Sequence, residues 1–311
     1  MSDTQTWPRH ELGKELSNWG RWGEDDEIGT LNFVTPAKRV QSAQLVKTGK
    51  AIDLGMPFDQ KGPFPPGSFR INPVHTMTCL PSDTARAADG FMAADDMIVM
   101  GLQSATQWDS LAHVGYDGFF YNGMPAAAVN SFVCATRNSF DKSIRHLISR
   151  GVLLDIARLK GVDRLEGGYE ITAADLSAAE ERQGVTVESG DILLIRTGHH
   201  KWFLEGDRER YMGAEAGPGL DTCRWLYDRE VAALAADNPS CEVQPCKVEG
   251  SAVPFHQVVI RDMGLLIGEM FNLEELANDC EADGVWEFQF SGTGLKVTNS
   301  LGSPVTPMAL K

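Results

Sequence analysis

Four short apolar runs constrain this fold more than any other feature of the sequence. They occupy residues 151–156, 191–197, 231–236 and 264–269, and each is bounded by glycine or polar residues. They are too short for helices and lack the polar–apolar alternation of half-exposed strands. Such runs read as strands buried on both faces. Helical stretches lie between them. Thr172 is the expected cap of a helix through 181, residues 220–230 set Trp225, Leu226 and Tyr227 against charges, and Asn272 starts a further helix. Upstream, Thr35-Pro36 reads as a helix start with the end at 47, before Gly49, and Val40, Ala43, Leu45 and Val46 as its apolar face. Residues 51–56 and 97–102 are further strand candidates, the latter leading into a pair of glutamines. Residues 57–70 and 82–96 read as loops, the second as a loop or lid. This alternation predicts an α/β fold, a mixed β-sheet core with flanking helices.

A chain of 311 residues fits one large domain. The expected division is a Trp-rich N-terminal arm over 1–35, carrying Trp7, Trp19 and Trp22, and a single domain over 36–311. The arm would pack its indoles on its own core or dock on a neighbouring subunit. A net charge of -15 disfavours nucleic acid and anionic membranes as partners. No apolar run is long enough to span a bilayer, and the N-terminus lacks a basic-then-apolar leader, so a cytoplasmic protein is expected. The six cysteines, Cys241 and Cys246 included, are expected as reduced thiols.

The chemistry-bearing residues form two groups. Gln103, Gln107, Asp109 and His113 fall within eleven positions. Gln107 and Asp109 share a face of an extended chain, while the four-residue spacings suit a helical turn. Far downstream, His256 precedes Glu269 by thirteen positions, and Glu269 ends an apolar run. A carboxylate there is costly unless it is paired or binds metal. The plainer readings are a salt bridge from Glu269 to an arginine such as Arg261, and a packed imidazole at His256.

These residues resemble the cyclase-type metal hydrolases, a family that includes bacterial kynurenine formamidase and isatin hydrolase. Its pattern is His-x-x-x-His-x-Asp-x-x-x-His followed much later by His and Glu. Asp109, His113, His256 and Glu269 match it; Gln103 and Gln107 stand where it has histidines, as in the branch with trans-dienelactone hydrolase. The resemblance covers about residues 18–305. It implies a swivelling β/β/α fold, a homodimer or homotetramer, and a divalent metal, zinc first and manganese second. Asp109, His256 and Glu269 would hold the metal, and Gln103 and Gln107 would complete its shell or bind substrate. Water activated by the metal would open a cyclic ester or amide, or cleave an aryl formamide. His113 would be the general base, since imidazole titrates near neutrality, and Glu269 a second catalytic group. Trp22, His75, Tyr116 and His200 are candidates for contacting the small carbonyl substrate. A lyase, dehydratase or cyclase using the same metal, or a binding protein that has lost metal, are the alternatives. A serine lactonase is disfavoured, as no Gly-x-Ser-x-Gly elbow is present.

Overall fold

The structure is a computed structural model that describes residues 8–85 and 88–311. Its centre is a nine-stranded mixed sheet. Four parallel strands form the middle: Ile148–Asp155, Ile192–Arg196, Ala233–Ala236 and Leu266–Glu269, adjacent in that order. These are the four apolar runs, and apart from the half-buried Ile148 they are buried throughout. Parallel neighbours need crossover connections. Helix Ala173–Gln183 lies in the first, Thr222–Asp228 in the second, and the helical stretch from Pro254 to Asp262 in the third. Antiparallel strands complete the sheet: Glu287–Ser291, Met308–Leu310 and Ala51–Asp53 on one side, Gln107–Asp109 and Gly302–Pro304 on the other.

Local rules explain the helix starts. The Thr172 side chain accepts from Asp175 N at 3.2 Å, and Asp175 Oδ2 accepts from Thr172 N at 3.1 Å. This reciprocal cap starts the helix, and Gly184, at φ 63°, ends it. Thr35 caps Pro36–Ala43 as expected. That helix ends at Ala43 rather than at 47, and it does not bury the expected face. Val40 is 60 % exposed, while Lys38 and Ser42 are buried. The reason is electrostatic: Lys38 Nζ reaches the buried Asp191 at 2.6 Å, beside Arg150.

The run at 97–102 is a strand as far as Val99. Strand Asp95–Val99 pairs with Val74–Cys79 in a separate hairpin, not in the main sheet. Met97, Ile98 and Val99 are about half exposed there. Residues 82–96, expected as a loop, contain most of a helical turn, Pro81–Thr84, and the start of this strand.

The N-terminal segment packs on its own chain. Leu16, Leu31 and Val34 belong to the same core cluster as the central strands. Trp19 Nε1 donates to Arg261 O at 2.6 Å, and Trp22 meets Phe33 edge-on at 5.1 Å. Trp7 lies outside the described residues. Among the described residues no helix is long and apolar enough to cross a membrane. All six cysteines are free.

Candidate metal centre

Two neighbouring strands bring the two halves of the sequence pattern together. Gln107–Asp109 pairs antiparallel with Leu266–Glu269, with Gln107 opposite Glu269 and Trp108 opposite Gly268. Side chains alternate along a strand. Gln107 and Asp109 therefore share a face with Glu269, while Trp108 turns into the core against Phe271 and Phe290. The backing layer is tight: a Cβ on Gly268 would come within 2.8 Å of both Trp108 and Ala235. His256 arrives from the end of the Pro254–His256 turn, which continues into a π-helix, Gln257–Asp262.

Asp109, His256 and Glu269 each place a ligand atom so that all lie within 4.8 Å of one another, and all three are buried. His256 Nε2 is 3.3 Å from Glu269 Oε1 and 4.0 Å from Asp109 Oδ2. Glu242 fixes the ring from behind, its Oε2 lying 2.5 Å from Nδ1 and accepting from His256 N at 3.1 Å. With Nδ1 engaged, Nε2 faces the two carboxylates, the arrangement in which a carboxylate orients a ligating histidine. Gln107 donates its amide to Glu269 Oε2 at 2.5 Å and lies 3.4 Å from Asp109 Oδ1.

The charges explain the titration shifts. Burial raises the Asp109 carboxyl to about 6, and Glu269 adds to this, while His113, His256 and Arg70 oppose it. Burial alone would lower His256, but hydrogen bonds and charge from Glu242 and Glu269 push it up to about 10. A proton on Nε2 thus takes the place of positive charge between the carboxylates. Asp109 Oδ2 and Gln107 Oε1 are enclosed and lack hydrogen-bond partners. Buried polar atoms are rarely left so. Two carboxylates, one of them with an unpartnered oxygen, and an imidazole fit a divalent cation.

The centre opens on a cleft of about 680 Å³, which Asp109, His113, His256 and Glu269 all line. His113 Nε2 lies 3.7 Å from Asp109 Oδ1. Gln103 and Gln107 are not among its lining residues. Gln107 stands behind the carboxylates as a donor; the Gln103 backbone oxygen accepts from Arg70 at 3.3 Å, and its amide lies against Gly302. The expected substrate contacts also lie elsewhere. Trp22 packs on Phe33, and His75 pairs with Asp96 at 2.6 Å on the exposed hairpin. Tyr116 donates to Asp262 at 2.7 Å and borders a neighbouring hollow that shares His113. His200 is buried among Phe203 and Tyr211, and burial lowers it to about 3.

Four residues at the centre and its cleft were not anticipated from the sequence. Glu242 holds His256; Arg70, not Arg261, stands near Glu269, at 3.7 Å. Arg261 instead pairs with Asp262 and stacks on Trp19 and Tyr116. Glu215 and Ser240 share the cleft wall. The one available signal was Glu242 itself, an acid between the apolar Cys241 and Val243.

A family model described as a putative cyclase matches residues 52–243, more than half of the chain. The chain belongs to the cyclase family. A crystal structure described as a novel cyclase is 40 % identical, with a TM-score of 0.88, over 96 % of this chain and 99 % of that one. An isatin hydrolase bound to the product analogue thioisatinate shares the cyclase fold at 18 % identity, with a TM-score of 0.63 over 88 % and 95 % of the two chains. Isatin hydrolase A from Ralstonia solanacearum does so at 19 %, with a TM-score of 0.62 over 84 % and 91 %. A comparison of this cyclase-family chain with curated proteins gave no match.

Proposed function

We propose that this chain is a metal-dependent hydrolase that opens a cyclic ester or amide, such as a lactone or imide, or cleaves an aryl formamide. One observation carries the reading: Asp109, His256 and Glu269 converge within 4.8 Å beside a cleft, and the buried Asp109 Oδ2 is left without a hydrogen-bond partner. Membership of the cyclase family, and a fold shared with isatin hydrolases, agree with it.

Asp109, His256 and Glu269 would hold a divalent ion, zinc first and manganese second. When bound, such an ion polarises a carbonyl and makes water acidic enough to react near neutral pH. The chain's own residues do the rest. Glu242 keeps His256 Nε2 turned to the centre. Gln107 occupies a position where the family pattern has histidine; its amide spaces the two carboxylates. His113, on the cleft wall beside Asp109, takes the proton of the attacking water. Arg70 lines the same cleft and offers its guanidinium to charge developing on the carbonyl oxygen.

The test is elemental analysis of purified protein, followed by a screen of lactones, imides and aryl formamides with and without chelator. Bound metal, chelator-sensitive turnover and a product heavier by one water are expected. Turnover without added water assigns a lyase or cyclase instead, and metal-free protein without turnover assigns a binding protein. We also propose that the chain forms a homodimer or homotetramer. Its support is the hairpin, which leaves Met77, Met97, Ile98 and Val99 half exposed across both faces. Light scattering showing a monomer at micromolar concentration would sink that part.

A further inference from the structure

One acidic side chain in the cleft has no part in the centre. Glu215 is buried, yet it lines the same cleft as Asp109, His113, His256 and Glu269. Its backbone is fixed by a two-bond bridge: Glu215 N donates to Gln244 O at 2.8 Å, and Gln244 N to Glu215 O at 3.0 Å. Its Oε2 accepts from both Ser240 N, at 2.8 Å, and Ser240 Oγ, at 2.7 Å. Oε1 has no hydrogen-bond partner among the described residues and is not an enclosed atom. The residue's remaining 5 % exposure therefore includes Oε1, and the residue lines the cleft. Among the described residues no lysine, arginine or histidine forms an ion pair with Glu215.

An ionised carboxylate so placed is costly. Burial pushes Glu215 up to about 8, and the nearby Glu269 charge adds to this, against the two Ser240 hydrogen bonds and His256. Oε2 already receives two hydrogens, so the proton of the neutral acid belongs on Oε1. The segment from Ser240 to Gln244 thereby orients two groups of the cleft, the Glu215 acid through Ser240 and the His256 ligand through Glu242.

We infer that Glu215 is the proton donor to the departing atom of the substrate, and that the cleft therefore serves unactivated esters or amides, whose leaving alkoxide or amide anion needs that proton. This rests on the hydrolase reading above. Water oxygen bonds to the carbonyl carbon, and its proton goes to His113. The ring carbon–oxygen or carbon–nitrogen bond breaks, its electron pair stays on the leaving atom, and that atom takes the Oε1 proton of Glu215. The proton on His113 returns through solvent to Glu215, so one water is added overall.

The test compares two six-membered lactones that differ in leaving-group acidity: δ-valerolactone, which releases an alkoxide, and dihydrocoumarin, which releases a phenoxide. Matched alkyl and aryl amides replace them if amides are the better substrates. Glu215→Gln keeps an acceptor for Ser240 and removes the acid. On δ-valerolactone kcat/KM should fall about 100-fold or more, and on dihydrocoumarin by no more than about 3-fold. Equal losses on the two, or no loss, overturn the inference and leave the hydrolase reading standing. Failure of the wild-type chain to hydrolyse any lactone, imide or formamide overturns both. Ser240→Ala leaves the carboxyl in place and should show a smaller loss with the same leaving-group dependence. It carries the test if Glu215→Gln does not fold, and a loss independent of the leaving group then counts against the inference.

Discussion

Asp109 and Asp237 are buried to the same degree and are both raised to about 6 by burial, yet they are built for different work. Each sits at or just past the end of a strand of the main sheet. Asp237 is satisfied on both oxygens: Oδ1 accepts from Thr197 N at 2.9 Å and Thr197 Oγ1 at 2.6 Å, and Oδ2 from Gly198 N at 2.7 Å. Next to it Arg196 is spent on Asp155 and Glu274. Asp109 accepts one long hydrogen bond, from Gln107 on Oδ1, and none on Oδ2. Burial and raised proton affinity are common to both, so neither marks a site. What separates them is unmade hydrogen bonds on carboxylates that converge at a cleft.

The largest effect expected from this contrast is on activity. Asp109→Asn should abolish metal-dependent turnover and deplete bound metal, while the melting temperature of metal-free protein holds or rises, because a buried charge is removed. An active, metal-loaded Asp109→Asn variant would break the comparison. Next comes Asp237→Ala, which strands three donors around Thr197 and Gly198. It should cost about 3 kcal/mol in urea unfolding, with kcat/KM per folded molecule unchanged. The smallest effect sharpens the criterion. His200 also has an enclosed, unpartnered Nε2, but it does not line the cleft. His200→Phe should leave kcat/KM within about 2-fold, since surroundings and not an orphan atom alone make a site. Its effect should appear in stability against pH. The folded pKa, about 3, lies below the usual value, so stability is full above about 6.5 and declines as pH falls towards 3. Wild type should lose up to about 1.4 kcal/mol per pH unit across that window, and the variant should lose less.

The central sheet was legible because its strands are buried on both faces and so carry uninterrupted apolar runs. The antiparallel strands Gly302–Pro304 and Met308–Leu310 span three residues each and leave no such mark. The hairpin strand was legible as a strand but not its exposure: Met97, Ile98 and Val99 are apolar without being buried within the chain. At the centre, Asp109, His256 and Glu269 were visible through the resemblance, and the structure brings them together. Glu242, Arg70 and Glu215 were not, because each owes its place to a contact made only on folding. Gln107 was read as a ligand or substrate contact. Its neighbour across the ladder, Glu269, turns its amide into a donor, and strand register cannot be read from a single sequence.

The π-helix that follows His256 turns its last carbonyls towards the N-terminal segment. Asn18 N donates to Asp262 O at 3.0 Å, Asn18 Nδ2 to Met263 O at 2.8 Å, and Trp19 Nε1 to Arg261 O. Three hydrogen bonds therefore run across position 36, from Asn18 and Trp19 to residues 261–263. A polypeptide begun there would lose the clamp on the helix that aims His256, and damage at its first residues would be felt more than two hundred positions away.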